Sequence, residues 1–292
     1  METTVQNKTL DYSKVKNHIA DWLQSYAFGA KMKGYVIGVS GGIDSAVCST
    51  LCAMSGMPTT VVRMSIHQAV DQADRGAKHI EWLKANFPNV KSLDVDLTDA
   101  YDMEIFLLTK AGAFDGITED QRLLACGNTR SRLRMVTLYG IGGAHQLLVC
   151  GTGNKVEDYG VGFFTKYGDG GVDLSPIGEL TKTEVYALGK ELGVIQEILD
   201  ARPTDGLWDD GRTDEDQIGA TYPELEWAME FCDNAPSESV ISNFVLNGSE
   251  SSYLAPLSER QKNVIKIYWK RHTANAHKMA MPPICSIQNF RK

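Results

Sequence analysis

The stretch Gly34-Tyr35-Val36-Ile37-Gly38-Val39-Ser40-Gly41-Gly42-Ile43-Asp44-Ser45 begins as a strand and ends as a helix. Its first half is β-rich. Two glycines break it, and a small-residue helical pattern follows from 44 to 55. Strand, glycine loop and helix in that order open a parallel βαβ unit. Two adjacent glycines let the backbone approach an anion with no Cβ in the way. The helix that follows offers unpaired N–H groups and the positive end of its dipole. Ser40 and Ser45 add hydroxyl donors. Asp44 is the odd member, because a carboxylate repels phosphate unless it holds a divalent cation that bridges the two. The loop has neither the G-x-x-x-x-G-K-[ST] pattern nor the G-x-G-x-x-G pattern.

Outward from this loop the alternation continues. Residues 59–65 read as the next strand, 71–87 as a helix, 90–95 as a third strand and 147–151 as a buried fourth. Such alternation predicts a doubly wound α/β fold, a parallel sheet covered by helices on both faces. An amphipathic helix over 11–28 precedes it, with Val15, Ile19, Trp22, Leu23 and Tyr26 at helical spacing. Residues 98–125 predict two helical pieces around a loop at 113–116, and 128–140 a separate arginine-rich helix. Beyond the fourth strand lie a glycine-rich loop over 160–178, helices over 181–192 and 194–200, and an acidic loop over 201–215. The remainder predicts helices, with a loop at 247–252. No repeat or linker divides the chain, so one domain is expected over 1–292. Its α/β core spans about 15–205 and a helical part about 206–292.

Composition narrows the function classes. The chain has 292 residues, 43% of them hydrophobic, enough to bury a core and unlike a disordered protein. A net charge of -8 argues against a general nucleic-acid partner, which must neutralise phosphates. None of the six cysteines forms a C-x-x-C pair or a zinc-like cluster with histidine. Cys48 and Cys52 fall on a predicted helix, and buried free thiols in a reducing cytoplasm are expected. Residues 1–10 lack a signal pattern, and no apolar run approaches the roughly 20 residues of a membrane span. A soluble cytoplasmic protein without a membrane partner is the expectation.

The loop Ser40-Gly41-Gly42-Ile43-Asp44-Ser45 resembles the pyrophosphate-binding loop of the ATP pyrophosphatases, which cleave ATP to AMP and pyrophosphate while adenylating a substrate. Residues 151–182, GTGNKVEDYGVGFFTKYGDGGVDLSPIGELTK, resemble the NAD synthetase family within that group. Gly127-Asn128, Ser131-Arg132, Arg134-Met135, Pro203-Thr204-Asp205, Thr213 to Asp216, Gly219, His277-Lys278 and Pro282-Pro283 fit the same family in the same order. The resemblance spans about 15–290.

That resemblance implies an adenine nucleotide alpha hydrolase-like fold and an ATP-dependent amidation. The nicotinate carboxylate of nicotinic acid adenine dinucleotide (deamido-NAD) attacks ATP, and ammonia then displaces AMP to give NAD. It places ATP contacts on Gly38, Val39, Ser40, Gly41, Gly42, Ile43, Asp44, Ser45, Thr152, Lys182 and Thr204. Asp44 and Lys182 take catalytic roles, the lysine neutralising charge as pyrophosphate departs. Arg132, Lys166, Asp173, His277 and Lys278 fall on the deamido-NAD site. Magnesium falls on Asp44 and Glu157, whose hard oxygens suit it. One extra residue stands between Gly151 and Phe163 relative to the common family spacing, which makes Asp158 a rival to Glu157. Arg130 and Arg134 read as partners of nearby carboxylates outside the site. The chain leaves no room ahead of residue 40 for an amidase domain, so free ammonia is the expected donor, and a homodimer is implied.

Overall fold

The computed structural model describes residues 10–67, 70–203 and 213–290. Helix α1 (Tyr12–Gly29) starts where the Asp11 side chain accepts from the Lys14 backbone N–H. It buries Ile19, Ala20, Leu23 and Ala27, a stripe repeating every three to four residues. Strand β1 (Gly34–Gly38) leads into α2 (Ile43–Met54), then β2 (Thr59–Ser65), α3 (Val70–Asn86) and β3 (Val90–Asp96). After α4 (Thr98–Lys110) and α5 (Glu119–His145) the chain returns to the sheet as β4 (Leu147–Val149).

All pairings are parallel, in the order β3-β2-β1-β4. The chain runs outward from β1 to β3 and then crosses back to the other side of β1, where Val36 pairs with Val149. Reversal of strand order opens a crevice at the carboxyl ends of β1 and β4, the usual ligand position in open α/β sheets. Both loops of interest, 39–42 and 150–154, leave the sheet there.

Alternation along β1 divides two cores. Tyr35 and Ile37 pack with Leu23, Val47, Leu51, Val185 and Leu188 on one face. Val36 packs with Val62, Met64, Tyr101 and Val149 on the other, joined by Leu133 and Leu138 of α5. A third cluster gathers α9 (Tyr222–Asp233), α10 (Glu238–Asn247) and α11 (Glu259–Met279) around Leu225, Ile241, Leu254 and Ile265. It also takes in Val156 and Val161, so the segment after β4 is rooted in the helical core.

The strands fall where the sequence reading puts them, the fourth ending at Val149 rather than at 151, and the loop expected at 113–116 lies within a turn over 111–116. The helix over 128–140 is not separate. Residues Glu119–His145 form one helix of 27 residues, opened by a Thr118/Gln121 capping box and continuous through Gly127, Gly140, Gly142 and Gly143. Gly142 is needed for close packing: a Cβ there would lie 2.8 Å from the Leu147 carbonyl. Ahead of the expected loop at 160–178, and overlapping its first two residues, the chain forms a π-helix over Lys155–Val161. α6 (Lys182–Leu192), a short α7 (Gln196–Leu199) and α8 (Asp214–Ile218) follow. Cys48 and Cys52 are buried free thiols, as expected, with Cys126 and Cys150, whereas Cys232 is half-buried and Cys285 exposed. Among the described residues no helix is long and apolar enough to cross a membrane.

Candidate active site

The glycine loop is held by its own serines. The Ser45 hydroxyl donates to the Gly42 carbonyl at 2.9 Å and accepts from the Ser40 N–H at 3.2 Å. The Ser40 and Ser45 hydroxyls meet at 3.1 Å, and the Gly42 N–H donates to Ser40 Oγ. Gly41 takes φ 86°, a conformation natural to glycine. No side chain caps α2, since Gly42 is its N-cap, so the first amides of that helix face outward for an anion.

Behind the loop stand three charges from three elements. Lys182, at the start of α6, donates to Asp44 Oδ2 at 2.6 Å and to Glu157 Oε1 at 2.9 Å. Its side chain is 4% exposed. A Thr181/Glu184 capping box fixes the start of α6 and hence the root of the lysine. Asn154 ties the group together: its carbonyl caps the Val156 and Glu157 N–H groups, and its amide donates to Asp44 Oδ1 at 3.1 Å. Tyr222 of α9 donates to Glu157 Oε1 at 2.5 Å, with Lys182 Nζ 4.9 Å from its ring centre.

Burial alone would drive the lysine towards its neutral form, but the two carboxylates outweigh it and hold the ammonium charged. Two acids share one cation, so the three groups titrate as a unit. Burial and the neighbouring Glu157 raise Asp44 despite Lys182. Burial also acts to raise Glu157, but Lys182 and Tyr222 overcome it and leave that acid below its ordinary value.

The segment after Gly151 winds into the π-helix over Lys155–Val161, a geometry common at functional sites. The two neighbouring acids turn different ways. Glu157 turns to Lys182 beside Asp44, while Asp158 turns to Gly153 and is pushed well above the ordinary carboxylate range by burial, then by Asp169, Glu157 and Asp44. A Cβ on Gly153 would lie 1.8 Å from Asp158 Oδ2, so only glycine admits this packing.

Together these groups line a cavity of about 650 Å³. Residues 38–45, Thr152, Glu157, Lys182 and Lys278 of the expected set face it. Asp173 instead lines an adjoining cavity of about 470 Å³ with Trp22, Tyr26 and Tyr159, and both cavities share Asp158, Phe164 and Lys278. The Asp173 carboxylate accepts from the Val149 N–H at 2.7 Å and the Tyr139 hydroxyl at 3.0 Å, anchoring the end of β4. Arg132, Lys166 and His277 form a chain beside the cavity rather than its wall. Arg132 donates to the Lys166 carbonyl, and Lys166 Nζ donates to the His277 carbonyl at 2.6 Å. Lys278 Nζ donates to the Phe164 carbonyl at 2.7 Å, and burial lowers its pKa. Thr204 lies outside the described residues.

Four residues at the site were absent from the sequence-based set, and two of them, Arg134 and Asp169, line the cavity. Arg134 feels the carboxylate of Asp169, as expected, but it stands inside the site rather than outside it. It is buried in the wall, donates to the Met64 carbonyl at 3.2 Å, and falls to about 10 through burial and then Arg130. Asn154, Asp169 and Tyr222 also went unread. Asn154 carried a local signal, a small polar residue just before an acidic helix start.

The chain matches the NAD synthase family profile over residues 15–270. It belongs to the NAD synthase family. An NH3-dependent NAD synthetase from Alkaliphilus oremlandii is 33% identical, the match covering 94% of this chain and 98% of that protein. Another from Carboxydothermus hydrogenoformans is 36% identical, covering 74% of this chain and 85% of that protein. Among solved structures, NMN synthetase from Francisella tularensis superposes with a TM-score of 0.75 at 30% identity, covering 96% of this chain and 100% of that one. In this NAD synthase chain, the glycine loop and the stretch 151–182 both contribute to the cavity wall, together with residues of α5 and α11.

Proposed function

We propose that this chain is the ligase that amidates deamido-NAD with ammonia at the expense of ATP, releasing AMP and pyrophosphate. The observation that carries the reading is the Asp44–Lys182–Glu157 cluster behind an anion-binding loop, in a chain of the NAD synthase family. A carboxylate is a poor electrophile, and adenylation gives it a leaving group. In the first step the nicotinate oxygen bonds to the α-phosphorus of ATP and the bond to pyrophosphate breaks. In the second, ammonia bonds to the acyl carbon, AMP leaves and a proton is lost.

The chain's work is positioning and charge stabilisation. The amides at the start of α2 hold the leaving phosphates, with Thr152 beside them. Lys182, already charged and buried, turns from the carboxylates to the phosphate oxygens. Asp44 and Glu157 would hold magnesium. Their fit is supported by the ammonium they bracket at 2.6 and 2.9 Å, which shows hard oxygen donors already arranged around a cation. Among the described residues no three His, Cys, Asp or Glu side chains form a metal cage. Magnesium at phosphate-transfer sites is commonly bound by one or two carboxylates and completed by substrate phosphates. When bound, it supplies charge neutralisation at the departing pyrophosphate.

Arg132, Lys166 and Lys278 supply the cationic flank for the acceptor's phosphates and carboxylate, His277 stands beside them as a polar contact, and Asp173 keeps the end of β4 in place beneath it. Ammonia as donor is supported by the NH3-dependent relatives, whose length the chain spans almost fully. A homodimer is supported by an apolar face on α4 and α5, where Met103, Phe106, Leu107, Leu124 and Val136 are exposed. A cytoplasmic site of action is supported by four buried free thiols.

A second reading is favoured by the likeness to NMN synthetase, whose name makes the mononucleotide its product. The same chemistry then acts on nicotinic acid mononucleotide. Comparing kcat/KM for the two acceptors under saturating ATP and ammonium tests the choice. A higher value for the dinucleotide upholds the first reading, and a higher value for the mononucleotide replaces it by the second.

A further inference from the structure

We infer that Tyr222 is a positioning residue for Glu157, the fixed anchor that keeps this carboxylate aimed at the metal when Lys182 leaves it. The inference rests on the proposed metal role of Glu157.

Glu157 stands in a π-helix, where its direction is not set by ordinary α-helical geometry. Its N–H is capped by Asn154, but its carboxylate is held by Lys182 and Tyr222, both on Oε1. Those two anchors differ in kind. The lysine is the group that ATP phosphates attract, so its bond to Glu157 is broken when nucleotide binds. The tyrosine has no such competitor. Its ring is buried in the helical core with Val156 and Tyr268. Its backbone N–H donates to Glu215 Oε1 at 2.9 Å, and a Thr221/Glu224 capping box fixes the helix start on which it stands. Its hydroxyl lies 2.5 Å from Glu157 Oε1 and 3.1 Å from Asp214 Oδ2. One phenolic proton serves one acceptor, and the shorter contact is to Glu157. With Oε1 retained by Tyr222, the carboxylate stays beside the place that Lys182 vacates. The ring face, 4.9 Å from Lys182 Nζ, keeps the lysine close while it exchanges partners.

The test uses the whole chain with a non-hydrolysable ATP analogue and Mn2+ in place of magnesium, bound metal being read by electron paramagnetic resonance. Tyr222→Phe removes only the hydroxyl. It should weaken Mn2+ by about tenfold or more, as loss of a ligand's hydrogen-bond partner does, with the KM for deamido-NAD unchanged. Glu157→Gln and the double variant close a thermodynamic cycle. If Tyr222 acts through Glu157, the double variant binds Mn2+ no more weakly than Glu157→Gln alone. Wild-type affinity in Tyr222→Phe, or additive losses in the double variant, overturns the inference and leaves the metal reading standing. Wild-type affinity in Glu157→Gln removes the metal role of Glu157 and this inference with it. Should Tyr222→Phe fail to fold, Tyr222→His restores a ring donor. A folded His variant that recovers Mn2+ binding supports the anchor, and one that binds no Mn2+ overturns it.

Discussion

Lys182 shows how one buried charge can serve both fold and chemistry. It neutralises two acids that would otherwise repel each other across the end of the sheet. Lys182→Met should therefore destabilise the fold by about 3–5 kcal/mol, the usual result of stranding buried partners, and should abolish turnover as well. Urea unfolding read beside the activity assay checks both. Asp44→Asn separates the two roles. Burial and Glu157 already raise the acid, so its neutral replacement is tolerated by the fold while ATP-dependent turnover is lost. A melting temperature near wild type with no pyrophosphate release is the expected outcome. At this scale Asp44 was legible because a carboxylate in a phosphate loop is chemically out of place. Tyr222 was not, because it meets Glu157 across 65 residues of sequence and nothing local marks it.

Among the elements, the strand–loop–helix unit was readable because glycine conformational freedom and strand periodicity are local properties. The π-helix was half readable. The acidic pair after Gly151 showed in the sequence, but its winding into a π-helix depends on Val156 and Val161 being pinned in the helical core, and on Gly153 making room for Asp158. Gly153→Ala puts a methyl where Oδ2 now lies, so it should expel Asp158 and loosen the π-helix, at a cost of about 1–3 kcal/mol. Differential scanning calorimetry reads the cost, and a variant as stable as wild type would show that the bulge does not need glycine. The continuity of α5 was illegible for the opposite reason. Its four internal glycines argue for breaks when read singly, yet Gly142 is there so that the helix can lie against Leu147.

Across the whole molecule, stability should depend on pH through His79. This ring is buried against Ser49 of α2 and Trp82, and burial lowers its pKa to about 4 from an ordinary 6.5. Unfolded chain takes up the proton below pH 6.5, whereas folded chain resists until about 4. The stabilisation is thus complete above pH 6.5 and is lost as pH falls towards 4, at about 1.4 kcal/mol per unit. Urea titrations between pH 6.5 and 5 should show that slope, and His79→Gln should flatten it. Assembly is a second property at this scale. Phe106→Glu with Leu107→Lys should yield monomers in analytical ultracentrifugation if α4 and α5 form the dimer face, and an unchanged mass would place the contact elsewhere. The most direct test of the account is the complete reaction with ATP, magnesium, deamido-NAD and either ammonium or glutamine, with NAD and pyrophosphate measured together. The account predicts NAD and pyrophosphate in equal amounts from ammonium and none from glutamine. Folded protein that makes no NAD from ammonium would contradict it.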